Sequence, residues 1–457
     1  MWTELDEAID MEKMKISKLA WKISLPMIIS MISIALYGIV DTIFVSKTGD
    51  SALTAISLAY PIQNVITAIG LGLAIGINSL LSRTLGEKNA EKCKAVIING
   101  IKLTIISWII VAIIIAIFSN MIFEFFTKNQ EIIDLGATYI KILGIFSFGT
   151  LFQITFEKIL EAHGKTKDSM YVQIIGAVIN LILDPIFIFG FLIFKPMGIK
   201  GAAIATILGQ IVGMVYGTYL VFFKYKMFNL SDLKNTRIEK RIVKDIYKVG
   251  FPTTLLEIVT SMIVFIFNKI LIDFGDSAVD IWGIYERVQK FVLITIYGLN
   301  YGMIPIVGYN LGAKNYDRVK ETIKYFLKIS IVITAIGTII FMAFPSTLIG
   351  WFTKTEITIN MGIEAFRVLG IGLIFAGVSL VLSSTFQSFG NGSYSLIITI
   401  CRKIAITLPI VYLLKNTFGV SIFWWAVTIA EIVTMVIAIL LFKKAIKNYE
   451  KKETIEK

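Results

Sequence analysis

The chain has 457 residues, of which 56% are hydrophobic and only 17% charged, and its mean hydropathy is +0.78. Those values exclude a string of soluble domains and describe an integral membrane protein. The formal net charge of +12 would suit a nucleic-acid partner only if it were gathered in one patch; it is spread over many short polar segments, which excludes that partner.

Apolar stretches recur down the whole sequence, and a helix needs about 20 residues to cross a hydrocarbon core of about 30 Å. Twelve spans are predicted, with cores at 23–46, 55–80, 97–118, 136–156, 170–192, 202–223, 250–272, 281–306, 327–345, 362–386, 394–414 and 419–442. These are long continuous runs rather than short alternating segments, so the expected fold is all-α, not a β-barrel. The first stretch follows a mixed-charge segment, is too long for a signal-peptide core and shows no small-residue cleavage site, so it is expected to remain as the first helix.

Sorting the 44 Lys and Arg residues by loop reveals the topology. The N-terminal tail, the even-numbered loops and the C-terminal tail take 32 of them, including two assigned to the tenth loop, and the odd-numbered loops take 7. The other 5, Lys102, Lys141, Arg287, Lys290 and Arg367, fall inside spans, mostly near helix ends where they can snorkel. The positive-inside rule places both termini in the cytoplasm and makes the chain a multi-pass protein of the plasma membrane. Cys93 and Cys401 fall towards the reducing cytoplasmic side, so no disulfide and no thiolate metal site is expected.

The most hydrophilic internal stretch, Lys224 to Lys248, carries eight basic residues and follows the sixth span. It divides the chain into an N-terminal tail (1–18), an N-lobe (19–223), a linker (224–248), a C-lobe (249–442) and a C-terminal tail (443–457). At an offset of 226 residues, Leu85-Gly-Glu-Lys-Asn-Ala-Glu-Lys-Cys-Lys-Ala-Val-Ile97 overlays Leu311-Gly-Ala-Lys-Asn-Tyr-Asp-Arg-Val-Lys-Glu-Thr-Ile323, with six of thirteen positions identical. The same offset superposes Lys22 and Pro26 on Lys248 and Pro252, and Gly164 on Gly390. Six crossings per half return the chain to the side it left, so the halves are parallel repeats, with substrate expected between or within the lobes.

Ionised carboxylates inside the bilayer are costly, by about 2.5–3.5 kcal/mol on insertion scales, and each needs a reason. In the first span Pro26 is placed to bend or loosen the helix, and Asp41 has no basic residue within a helical turn. Tyr37 stands one turn from Asp41, and Gln153 is a polar group in the apolar fourth span; both are candidate cavity residues. In the fifth span Asn180 and Asp184 lie four residues apart on one face, able to bind one ion together. Pro185 removes a donor from the ladder and frees a carbonyl oxygen nearby. Residues 226 further on are Phe267, Ile406 and Ile410, none able to carry an ion, so the polar cluster belongs to the N-lobe alone. His163, the only histidine, falls in a cytoplasmic loop, so coupling has to rest on carboxylates. Na+ would use several of these oxygens, whereas H+ would need a carboxyl tuned by burial or a neighbouring carboxyl. Glu257 and Glu431 are further intramembrane acids for which structural bonding is expected.

Three stretches resemble the multidrug and toxic compound extrusion (MATE) family, and its DinF-type branch most of all: Gly76-Ile-Asn-Ser-Leu-Leu-Ser-Arg-Thr-Leu-Gly-Glu-Lys-Asn89, Asn180-Leu-Ile-Leu-Asp-Pro-Ile-Phe-Ile-Phe-Gly190 and Gly298-Leu-Asn-Tyr-Gly-Met-Ile-Pro-Ile-Val-Gly-Tyr-Asn-Leu-Gly-Ala-Lys-Asn315. The Gly201-Ala-Ala-Ile-Ala-Thr206 stretch adds to the match. The resemblance implies a V-shaped pair of six-helix bundles, a monomer in membrane lipid with no cofactor. It would be an exporter rather than an enzyme, moving cationic lipophilic compounds against inward H+ or Na+. It also implies that Asp41, Asn180, Asp184 and Thr206 form the H+ or Na+ site and that the Pro26 kink responds to protonation. The alternative within the same superfamily is a lipid-linked saccharide flippase, which would favour a cationic cavity.

Overall fold

Periodic apolar runs of this length can bury their backbone polar groups only as helices, and the computed structural model, which describes residues 10–191 and 194–456, is helical throughout, with no strand among them. The helices are α1 (Ile16–Ser46), α2 (Asp50–Gly86), α3 (Ala90–Phe126), α4 (Gln130–Ile145), α5 (Phe148–Ala162), α6 (Thr166–Phe189), α7 (Ile199–Thr218), α8 (Leu230–Asn235), α9 (Lys240–Leu271), α10 (Asp276–Gly312), α11 (Tyr316–Ala343), α12 (Pro345–Gly350), α13 (Glu356–Ser388), α14 (Gly392–Ile400), α15 (Thr407–Phe418) and α16 (Ser421–Glu456). A π-helical turn, Tyr219–Lys224, extends α7, and another, Cys401–Ala405, joins α14 to α15. Eleven helical runs are long and apolar enough to cross a membrane; α4 and α5, meeting at 45°, make the twelfth.

Several boundaries differ from expectation for identifiable reasons. The fourth span is broken, because Ser147 turns its hydroxyl onto the Gly144 carbonyl (2.8 Å) and the chain bends there without a proline. α2, α3 and α10 each have 37 residues, roughly 55 Å of helix, so the apolar cores are only their middles. The linker is ordered: α8 carries a capping box between Asn229 and Asp232, and Lys94 holds Asp232 at 2.8 Å, keeping that carboxyl below its usual range. Lys102 donates to the Thr236 carbonyl at 2.6 Å, so it anchors the linker to α3. Residues 443–456, expected as a tail, continue α16. Arg402 and Lys403, assigned to the tenth loop, lie inside the span made by α14 and α15; moving two residues leaves the charge asymmetry large.

The 226-residue offset recurs in the backbone. Left-handed φ angles occur at Gly49 and Gly275, at Lys88 and Lys314, and at Gly164 and Gly390, three pairs in one register. Asn89 accepts a hydrogen bond from the Lys92 N–H at the start of α3, and Asn315 accepts one from the Arg318 N–H at the start of α11.

The two halves meet along a seam of glycines at the end of the molecule where α1 begins. A Cβ on Gly72 would fall 2.1 Å from Thr254 Oγ1, and one on its counterpart Gly298 would fall 2.7 Å from the Ile28 Cα. A Cβ on Gly76 would fall 2.4 Å from the Ile246 carbonyl oxygen, and one on Gly302 would fall 2.2 Å from Ser24 Oγ. Gly86 faces the Tyr309 carbonyl and Gly312 faces the Arg83 carbonyl, each at 1.9 Å from the built Cβ. Ser82 packs on Gly308, its own partner under the offset, which puts a pseudo-two-fold axis between them. Polar contacts follow the glycines. Ser79 donates to the Gln387 carbonyl, and the Arg83 guanidinium donates to the Ser388 carbonyl at 2.9 Å. Asn310 and Arg318 donate to the Met11 carbonyl at 3.1 and 3.0 Å. The lobes are thus closed on this side.

Candidate functional site

α1 packs against α6, and α6 against α7. That arrangement brings the predicted residues together well away from the seam. Asp184 is fully buried, and Asn180 and Thr206 are each 2% exposed. Two amide orientations of Asn180 join the same neighbours. In one, Nδ2 donates to Asp184 Oδ1 (3.4 Å) and Thr206 Oγ1 (3.3 Å). In the other, which satisfies both sides better, Nδ2 donates to Asp184 Oδ2 (3.2 Å) and the amide oxygen accepts from the Thr206 backbone N–H (3.0 Å). Asn180 therefore ties α6 to α7 at the carboxyl. The close approach of the two helices depends on Gly209, whose Cβ would fall 2.5 Å from the Gly176 carbonyl oxygen and 2.9 Å from the Asn180 Cβ.

Asp41 faces Asp184 closely enough for their carboxyls to share a hydrogen bond. Its Oδ1 is buried without a hydrogen-bond partner. Tyr37, half-buried one turn away, reaches the Thr206 side chain with its hydroxyl. Tyr139 of α4, 2% exposed, stands within electrostatic range of Asp41, Tyr37 and Asp184. The fold brings α4 to the site from a distance in sequence, and nothing local marks Tyr139 as a member. Pro185 leaves the Leu181 carbonyl without its helical donor, while α6 continues to Phe189. Two carboxyls that share a hydrogen bond need a proton between them or a cation bridging them, so the cluster can hold either.

The MatE family model matches the chain twice, over residues 26–186 and 252–413. The chain belongs to the MatE family. Its members are transporters, not enzymes. The multidrug export protein MepA of Staphylococcus saprophyticus is 28% identical over 432 residues, covering 94% of each chain. A MATE crystal structure in complex with MaL6 superposes with a TM-score of 0.90 at 26% identity, over 97% of this chain and 99% of that one. An outward-facing conformation of a multidrug resistance MATE family transporter superposes at 0.89 and 26% identity, over 97% of this chain and 98% of that one.

The remaining MatE residues sort by place. Pro26 lies buried within α1, fifteen positions before Asp41, or about 22 Å along the helix. Gln153 is 4% exposed and wedges between Gly176 and Gly213, with its amide 3.4 Å and 2.8 Å from their built Cβ positions; here it bonds helices together. At the C-lobe position matching Asp41, Phe267 packs edge-on against Trp282 and Phe423, with ring centroids at 5.4 and 5.2 Å. Ile410 packs against the same cluster. The C-lobe counterpart is an apolar core.

A second buried polar pair was hidden by the loop assignment. Arg402 Nε lies 2.8 Å from Glu431 Oε1, with side chains 9% and 6% exposed. Its hydrogen is not aligned with the contact, and Glu431 Oε2 has no partner. Breaking one half of such a pair leaves a buried charge. Arg402→Met alone is expected to lower stability by about 3–5 kcal/mol, and adding Glu431→Leu is expected to recover most of it. Thermal unfolding of the two variants in detergent measures the difference.

Proposed function

We propose that this protein exports cationic lipophilic compounds by exchanging them for inward H+ carried on the Asp41 and Asp184 pair. The observation that carries the reading is the carboxyl pair itself, facing each other from α1 and α6, with Asp184 buried and Asp41 half-buried, its buried Oδ1 lacking any donor. Multidrug export is suggested by the MepA relatives, described as multidrug export proteins. An acidic N-lobe interior suits a cation better than the phosphate of a lipid-linked sugar. Tyr37 is assigned to the drug-facing rim of the site, Asn180 and Thr206 to holding Asp184 in place, and Pro26 to the hinge of α1.

Export proceeds by alternating access between lobes 19–223 and 249–442. The two family matches, which start 226 residues apart at 26 and 252, support that division. The charge distribution supports cytoplasmic termini in the plasma membrane, so the glycine seam closes the cytoplasmic side. The protein works as a monomer.

Ethidium efflux from proteoliposomes, with H+ and Na+ gradients imposed separately, tests the reading. Efflux under the H+ gradient alone is the expected result. Efflux only under Na+ would transfer the same four residues to a Na+ site and overturn the proton assignment.

A further inference from the structure

One polar cluster in the N-lobe is not used by the coupling site. α5 carries Gln153, Glu157, Lys158 and Glu161, which are 4%, 8%, 4% and 2% exposed. Lys158 Nζ binds both oxygens of Glu161, at 2.9 and 2.8 Å, and Ser169 Oγ donates to Glu161 Oε1 at 3.1 Å. That pair is complete. Glu157 is left as the second carboxyl of a cluster with one lysine, and its donor is the Gln153 amide at 3.0 Å. Fully ionised, the cluster would bury a net negative charge, which is costly in a protein interior; with Glu157 protonated it is neutral.

The cluster is joined to the coupling site. Ser169, Gln173, Gly176, Asn180 and Asp184 fall on one stripe of α6. The Gln153 amide bonds Gln173 at 3.4 Å and reaches to Gly176, one helical turn from Asn180. From Asp184 to Gln173 the stripe runs roughly 16 Å and leads from the coupling site toward the cytoplasmic seam. The cluster is also joined to the other lobe: Lys158 Nζ sits 4.0 Å from the centroid of the Tyr301 ring of α10, a cation–π contact that exists only while the seam is closed. Gln153, Lys158 and Glu161 of α5 act directly on Glu157; around them Gln173 bonds Gln153 and Ser169 bonds Glu161 from α6, Asn78 of α2 donates to the Lys158 carbonyl, and Tyr301 of α10 meets the Lys158 ammonium, with Glu257 of α9 near the Tyr301 ring.

We infer that Glu157 is the cytoplasmic exit carboxyl for the transported proton, held neutral while the lobes are closed and released when Lys158 parts from Tyr301. The inference rests on the proton-exchange reading above. The balance is simple. Glu157 takes up one proton that water carries from Asp184 alongside the α6 stripe, whose amides and Gly176 cannot themselves relay it, and becomes neutral. When the seam opens, its O–H gives that proton to cytoplasmic water, and the carboxylate left behind faces a Lys158 no longer held by the aromatic ring.

The test is ethidium efflux from proteoliposomes as the pH on the cytoplasmic face is varied, with the outer pH fixed. Glu157→Gln keeps the shape and the Gln153 contact, and is expected to bind ethidium within about twofold of wild type while losing about 100-fold in gradient-driven efflux and its dependence on cytoplasmic pH. Glu157→Asp keeps a titratable group and is expected to restore that dependence. Tyr301→Leu is expected to shift the cytoplasmic pH profile and Tyr301→Phe to leave it in place, which tests the lobe coupling even if a position 157 variant does not fold. Wild-type efflux and pH dependence in Glu157→Gln, or identical profiles for Tyr301→Leu and wild type, overturns the inference. Asp184→Asn run in parallel separates the two failures: if it exports normally, the coupling-site reading has failed; if it is inactive while Glu157→Gln is normal, only the exit carboxyl has.

Discussion

Asp184→Asn and Asp41→Asn are each expected to reduce proton-driven ethidium efflux by about 100-fold or more, with little change in thermal stability. The amide keeps the volume and one acceptor of the carboxyl. At position 184 it still meets the Asn180 amide, which can turn to present either its donor or its acceptor. What it cannot do is hold a proton at one stage and a charge at the next. Because the two carboxyls face each other, losing either leaves the other without the neighbour that makes it share a proton, so the single variants are expected to be about as inactive as the double. Efflux from proteoliposomes under an imposed pH gradient, with melting curves on the same preparations, reads both quantities. Full efflux in both single variants would refute the site.

The parts of this site that were legible in sequence were those whose cost is visible locally. Asp41 inside an apolar run, and Asn180 and Asp184 on one helical face, are anomalous whatever the fold does around them. The comparison with Phe267, Ile406 and Ile410 also needed only the repeat, and the equivalent place in the C-lobe is filled by an aromatic cluster around Phe267. Thr206 required the family motif, because only packing of α7 on α6 at Gly209 sets it against Asn180. Tyr139 left no signal, since its membership depends on where α4 lands.

Charged residues near span ends were the least legible. Hydropathy averages over a window, so Lys158, Glu157 and Glu161 read as the start of a loop although the helix continues to Ala162 and buries all three. Arg402 and Lys403 read as loop for the same reason. The partner of Arg402, Glu431, lies 29 residues away on another helix, a distance at which pattern reasoning carries no pairing information. The 45° bend between α4 and α5 has no proline to announce it; a serine hydroxyl taking a carbonyl makes it, and such local competition is common to many serines that bend nothing.

The glycine seam yields the other large effect, and the pseudo-two-fold relation makes it a paired one. Gly312→Ala puts a methyl 1.9 Å from the Arg83 carbonyl oxygen, and Gly86→Ala puts one 1.9 Å from the Tyr309 carbonyl oxygen. Both obstacles are helix backbone, which cannot yield by changing rotamer, so α2 and α10 have to separate. Overpacking of this kind costs about 1–3 kcal/mol, and it weighs only on the closed arrangement, since the facing carbonyl withdraws when the lobes part. A penalty at the upper end shifts the balance between the closed and open states of the seam by roughly 100-fold. Cysteine labelling from the seam side is expected to rise for Gly86→Ala and Gly312→Ala by similar factors, because the two contacts are copies of one another. Gly283→Ala, on the same helix as Gly312 but with nothing within 4 Å of its built Cβ, is expected to leave labelling unchanged. Unequal effects at the two paired positions would mean that the seam does not open as a symmetric hinge, and unchanged labelling at both would mean that it does not govern closure.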